Sequence, residues 1–219
     1  MIFLDNKYKA FEKEIEKATR IVFPCLKEKI KDEGFYTFGI FFANGFEYLE
    51  LSANTNLGNI EETQKHLEWY KKEYKKESPN DFDKTLKELK WDFGSWKYYN
   101  NDFIKPYNQE FAQAESIMQN MYEDLDKINK KKLSKWKEQD YYEEWSIFHN
   151  EILESTIKAI KKLDKTGLFG TGKERENITL WISTFDINYE LCEYINSEKN
   201  YTKLITELHE IGWAEDIEI

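Results

Sequence analysis

The stretch Gly167-Leu168-Phe169-Gly170-Thr171-Gly172-Lys173 has the GxxxxGK spacing with which a backbone loop and a lysine cradle phosphates. The rest of that chemistry is missing. A phosphate-binding loop follows its lysine with a Ser or Thr whose hydroxyl meets magnesium, and here Glu174 stands in that place. Such a loop also runs from a strand into a helix, so that the helix N-terminal N–H groups face the anion. In this chain a helical pattern precedes the loop and a strand pattern follows it, while Glu174 and Glu176 add like charge. The segment reads as a glycine-rich helix-to-strand turn, and nucleotide binding is rejected.

Metal and nucleophile chemistry have no better support. His66, His149 and His209 are scattered and belong to no HExxH or CxxC arrangement. Cys25 and Cys192 fall on the apolar stripes of helical segments, which predicts two reduced thiols packed as small hydrophobes. There is no GxSxG elbow. The 42 acidic residues offer too many carboxylate pairs for one to be singled out as a glycosidase pair. The sequence therefore nominates no catalytic residue, no cofactor and no metal.

Large rings remain. Residues 91–99, Trp-Asp-Phe-Gly-Ser-Trp-Lys-Tyr-Tyr, concentrate aromatics in a segment with turn character. Rings carried on loops anchor protein partners. Equally, two tryptophans can plug a core beneath an irregular segment. The two alternatives predict opposite burial. The candidate partner-binding residues are Trp91, Asp92, Trp96 and Tyr98, with Asn54, Thr55 and Asp186 at loop positions near strand ends.

The elements that must position these residues are legible in outline. Residues 5–32 repeat apolar side chains at helical spacing (Tyr8, Phe11, Ile15, Ala18, Val22, Cys25 or Leu26, Ile30), with Pro24 predicting a bend or a division and Gly34 a stop. Residues 35–43 and 46–53 read as strands flanking Asn44-Gly45, the signature of a two-residue type I′ hairpin. A surface helix is expected from about 60 to 77, ended by Pro79. Residues 81–100 are ambiguous between a short helix and a strand. Helices follow over 107–129 and 139–164, then a strand over 177–185 and two short helices, 187–196 and 200–210. The expected fold class is α+β. A small, mostly antiparallel sheet, hairpin 35–53 plus strand 177–185, is covered by several helices, with residues 1–219 forming one domain.

Charge narrows the partners. The formal net charge is −10, which repels nucleic-acid phosphates and anionic lipid and attracts basic partners. Arginine, whose fork reads base edges, occurs only as Arg20 and Arg175. The basic stretch 127–137 reads as a solvated helix junction. The first residues turn charged without an apolar signal-peptide region, and no run approaches the roughly 18 apolar residues of a membrane span. These features predict a cytoplasmic protein with a protein partner, no nucleic acid and no membrane.

Four segments carry a resemblance: FYTFGIFFANGFEYLELSANT (35–55), KWDFGSWKYYN (90–100), KKLDKTGLFG (161–170) and ITLWISTFD (178–186). In that order they resemble a bacterial family catalogued as a domain of unknown function (DUF4303-like). The chain departs from the family pattern at Asp92-Phe93-Gly94-Ser95, where members tend to carry a proline-containing turn, and in its long, lysine-rich helical region 107–140. The family is similar in size and α+β character to small proteins that accompany bacterial polymorphic toxins and neutralise them. The resemblance implies a non-catalytic immunity protein that binds a toxin, such as a basic nuclease domain, stoichiometrically. A housekeeping adaptor or regulatory module, or an enzyme with a carboxylate-based site, are the alternatives.

Overall fold

The computed structural model describes residues 2–74, 81–132, 138–184 and 189–214, with side chains described for 5–74, 81–130, 143–184 and 190–214. The chain opens with helix α1 (Ile2–Lys29), which buries Phe11, Ile15, Ala18, Val22 and Leu26 along one stripe, continued by Ile30 just past its end. Pro24 lies inside this helix without dividing it, which excludes the division among the two expected outcomes. Phe23 and Leu26, both fully buried, hold the turn on either side, so tertiary packing outweighs the lost backbone hydrogen bond.

The same turn corrects the reading of Cys25. With Val22, Phe23 and Leu26 facing inward, a rotation of about 100° per residue carries position 25 outward, and Cys25 is exposed. Cys192 is buried, and burial pushes its thiol pKa up to about 12. A chromogenic disulfide reagent should therefore titrate one thiol in the native protein, that of Cys25, and the second only after denaturation. Two fast-reacting thiols in the native state would contradict this packing.

Gly34, at φ +72°, ends a short 3-10 turn (Lys31–Glu33) and directs the chain into strand β1 (Phe35–Ala43). Strand β2 (Tyr48–Thr55) returns antiparallel to it. The connection is longer than the expected two-residue turn: Asn44, Gly45 and Phe46 all have positive φ, and the Glu47 N–H donates to the Ala43 carbonyl at 3.1 Å. The left-handed backbone at Phe46 costs energy. Burial of its ring, stacked on Phe42 at 5.0 Å and on His149 at 4.3 Å, offsets it.

Helix α2 (Asn56–Tyr74) is largely solvent-facing, as its charge pattern suggested; Pro79, its expected terminator, lies outside the described residues. The ambiguous region resolves into helix α3 (Phe82–Trp91), capped by the Asp81 carboxylate, and a two-residue strand β3 (Tyr98–Tyr99). A short helix α4 (Lys105–Asn108) precedes α5 (Ala112–Lys132) and α6 (Glu138–Lys165). The one-turn helix α7 (Lys173–Glu176) leads into strand β4 (Thr179–Ser183), and α8 (Tyr189–Ile195) and α9 (Glu198–Glu210) follow.

The sheet order is β3-β2-β1-β4, with β4 parallel to β1 and the other two ladders antiparallel. This is the mostly antiparallel α+β arrangement read from sequence. Phe38, Ile40, Phe42, Leu49, Leu51, Ala53, Leu180 and Ile182 point to one core, which α1, α5 and α6 complete with Phe11, Met118 and Phe148 among others. Tyr36 and Trp181 point to a second core on the other side, joined by Trp91, Trp96, Cys192, Leu204, Ile205 and Leu208. Cover on both faces is why the strands read as near-continuous apolar runs rather than alternating ones.

The glycine-rich turn has a structural use. Arg175, 9% exposed, donates from Nε to the Asp164 carboxylate (2.7 Å), from Nη1 to the Ile178 carbonyl (2.6 Å) and from Nη2 to the Ile195 carbonyl (3.0 Å). The Asn200 amide donates to the carbonyls of Arg175 and Ile178. The guanidinium thus ties α6, the residue before β4 and the end of α8 together, and the Asn200 amide adds α9. Asn196 completes the edge of β4, accepting from the Leu180 N–H and donating to the Leu180 carbonyl as a neighbouring strand would. Glu174, in the position a phosphate loop gives to a hydroxyl, is paired with Lys27.

Candidate functional site

The aromatic segment sits on the second face of the sheet. Trp91 ends α3 and Trp96 follows a 3-10 turn (Phe93–Ser95), and both pack on Trp181 of β4: the Trp91 ring stacks on it at 5.9 Å and the Trp96 ring meets it edge-on at 6.0 Å. Tyr36 meets Trp91 edge-on at 5.7 Å. The layer closes because position 39 has no side chain. A Cβ there would lie 3.4 Å from Trp96 Cζ3 and 2.9 Å from Ser52 Oγ.

The polar edges of Trp91, Trp96 and Tyr36 find hydrogen-bond partners, as buried groups tend to. Trp96 Nε1 and the Tyr36 hydroxyl both donate to the Lys90 carbonyl, at 3.1 and 2.9 Å. Trp91 Nε1 donates to Glu207 at 2.9 Å, and Asn54 Nδ2 donates to the Tyr36 hydroxyl at 3.0 Å. Trp91, Trp96 and Tyr98 are only 2%, 3% and 5% exposed, and Asn54 and Thr55 are fully buried. The two tryptophans plug the core. What the segment offers to solvent is Asp92, Phe93, Gly94, Ser95, Lys97 and Tyr99. Asp92 folds the turn, accepting from the Gly94 N–H and the Ser95 hydroxyl. Asp186 lies outside the described residues, as does part of the lysine-rich stretch, 133–137. Lys127 and Lys130 of that stretch pair with carboxylates on their own helix.

Around Thr55 the structure assembles a polar knot that sequence spacing did not reveal. The Glu33 carboxylate accepts from the hydroxyls of Thr55 (3.0 Å) and Tyr98 (2.8 Å) and from the Lys97 ammonium (3.1 Å), which also pairs with Glu61 at 3.0 Å. Burial pushes the Glu33 pKa up, but the hydrogen bonds from Tyr98, Lys97 and Thr55 together outweigh it and hold the carboxyl below its usual 4.5. A depressed folded-state pKa contributes stability that is present above the unfolded value and lost as pH falls through the folded one. Glu33→Gln should therefore melt below the wild type at pH 7, and the gap should close progressively once the pH drops beneath about 4.5. A gap that stays constant from pH 7 to pH 3 would remove this carboxylate from the acid sensitivity of the fold.

Where the second face meets the hairpin end, the cover is incomplete. A cleft of about 490 Å³ opens between Phe41, Ala43, Asn44, Tyr48, Glu50, Phe93, Gly94 and Tyr99. Its floor is Phe41, whose ring lies 4.3 Å from Phe93; Tyr99 stands edge-on to both, at 6.2 Å from Phe41 and 5.5 Å from Phe93. Glu50 is the cross-strand neighbour of Phe41. Burial, followed by a hydrogen bond to Glu50 and its charge, pushes the Tyr99 phenol up to about 12. Tyr48 is exposed at the rim. Sequence reasoning found Phe93 and Tyr99 only as members of an aromatic segment and missed Phe41, Tyr48 and Glu50. The signal available for Glu50 was a carboxylate set between Leu49 and Leu51 in a strand of otherwise apolar and small residues.

A larger cleft, about 740 Å³, runs between α6 and α8 over Leu153, Ile157 and Leu191 and is edged by lysines. Its edge is set by lysines, whereas the smaller cleft sets three rings and a carboxylate around one space. An aromatic ridge on α2 is also exposed, with Trp69 and Tyr74 at 51% and 52%. Among the described residues no group of three or more His, Cys, Asp or Glu is placed to hold a metal ion, and no helix is long and apolar enough to cross a membrane.

A four-stranded mixed sheet between two helical layers, with an aromatic second face left partly open, defines an α+β protein with a surface cleft. The chain belongs to the family described as a domain of unknown function, DUF4303, whose model matches residues 15–197, from within α1 to the residue that caps α9. No curated protein and no solved structure matches the chain.

Proposed function

We propose that this protein is a non-catalytic binding protein that associates stoichiometrically with a basic protein partner, and that the partner is a bacterial toxin domain which it neutralises. The carrying observation is the open cleft on the second face. It combines aromatic walls, which supply binding energy at interfaces, with a carboxylate suited to a basic partner. A net charge of −10 would steer such a partner to the surface and set the association rate and its salt dependence. Its resemblance to small proteins that accompany polymorphic toxins supplies the toxin part of the proposal. That reading predicts a cytoplasmic location, where a toxin's producer needs protection.

The experiment is co-purification with the C-terminal domain of the large protein encoded beside its gene, with toxicity measured in the same cells. A one-to-one, salt-sensitive complex that silences the toxic activity is the expected result. No complex with a non-toxic neighbour would replace the immunity reading with that of an adaptor or regulatory module.

A further inference from the structure

We infer that the cleft at the hairpin end is a receptor for one cationic side chain, a lysine or an arginine, presented by the basic partner; the inference rests on the protein-binding reading above. Three aromatic rings bound one space, and the faces of such rings carry negative charge density that attracts an ammonium or guanidinium. Glu50 adds a full charge in the same space. It is half-buried, it is held by the Tyr99 hydroxyl and, among the described residues, no lysine or arginine pairs with it.

A carboxylate among rings without a counter-ion is an unfavourable arrangement that an incoming cation relieves. An apolar side chain would bury the rings and leave the charge unpaired, so the cleft discriminates against it. The methylene stem of lysine or arginine suits the apolar walls of Phe41 and Phe93 while its head reaches Glu50. The rim is shaped for entry. Asn44 and Gly94 are exposed there, and the exposed Tyr48 ring stands beside the opening.

The test uses the full chain and small probes before any partner is known. N-acetyl-arginine amide and N-acetyl-lysine amide are titrated while the ring protons of Phe41, Phe93 and Tyr99 are followed by NMR, with uncharged N-acetyl-norleucine amide as the apolar comparison. The expected result is a saturable shift of these rings by both cationic probes and none by norleucine at the same concentration. Glu50→Gln, which keeps a hydrogen-bond acceptor for Tyr99, should weaken the cationic probes about tenfold. Phe93→Leu, which keeps apolar bulk but removes the π face, should weaken them also. Trp69→Ala, on the distant α2 ridge, should bind as the wild type does. Equal shifts with norleucine, or unchanged binding by both Glu50→Gln and Phe93→Leu, would overturn the inference. The two readings fail separately. A toxin complex that tolerates Glu50→Gln, with no response to the probes, leaves the immunity proposal standing and removes the cleft. Cationic probes that occupy the cleft in a protein with no toxin partner do the reverse.

Discussion

Trp96→Ala should lower the unfolding free energy by about 3–5 kcal/mol, the range for removing a large aromatic from a packed core. For a chain of this length that corresponds to a fall of roughly 10–15 °C in the melting midpoint. The ring is 3% exposed, packs edge-on against Trp181 and occupies the space that Gly39 leaves open. Its neighbours cannot collapse into that space, because Trp181 is held by the opposite stack with Trp91 and the backbone at Gly39 is paired on both sides. The Lys90 carbonyl would lose one of its two side-chain donors and keep the Tyr36 hydroxyl, so the hydrogen-bond part of the loss is the smaller part. Trp96→Phe keeps a ring over Gly39 and should cost about a third as much. Urea denaturation of both variants is the measurement, and an alanine variant as stable as the wild type would refute the packing account. Any effect of Trp96→Ala on a partner must be read in a sample shown to be folded, since the residue acts on the cleft only through the segment that carries Phe93.

Arg175→Met should be comparably severe, about 3–5 kcal/mol, because it leaves partners behind rather than merely removing contacts. Three acceptors lose their donor at once: the Asp164 carboxylate and the carbonyls of Ile178 and Ile195. Asp164 is partly hydrated, with 30% of its side chain exposed, and Asn200 still serves the Ile178 carbonyl. The Ile195 carbonyl is the group most dependent on the guanidinium. Lysine at 175 should not rescue the fold, since a single ammonium cannot send donors to three separate acceptors. The double variant Arg175→Met with Asp164→Leu should recover part of the loss by removing the stranded carboxylate. Denaturant midpoints of the two single variants and the double decide this. A loss below about 1 kcal/mol in Arg175→Met would show that the turn is not clasped by this residue.

Turn and periodicity signals are local, and what they encode was legible. Gly34 ends the first helical stretch with positive φ, the two apolar runs around Asn44-Gly45 pair as a hairpin, and residues 138–165 form the long helix that the stripe from Tyr142 to Leu163 implied. Where the chain departed from those signals, a distant contact was responsible. Phe46 extended the turn because its ring stacks on Phe42 and His149. Pro24 stayed inside a helix because the core grips the residues around it.

The candidate site divides in the same way. Composition showed an acidic chain with rings concentrated at 91–99 and no motif for catalysis, and it showed that the GxxxxGK spacing lacked its hydroxyl. It did not show that Trp91 and Trp96 would be buried while Phe93 lines a cleft. That sorting depends on which rings meet Trp181, brought beside β1 by a parallel pairing of Thr37 with Thr179 across 142 residues of chain. Glu50 is the clearest case. One carboxylate in an apolar strand announces only that position 50 faces away from Leu49 and Leu51. Its closeness to Phe41 and Tyr99 follows from the registers of β1 and β3 against β2. Local backbone chemistry thus determined the α+β class, the hairpin and the helices. Burial, the polar knot at Glu33 and the cleft at Glu50 were decided by long-range pairing, because the energy of a buried ring or charge depends on neighbours the chain supplies only when it folds.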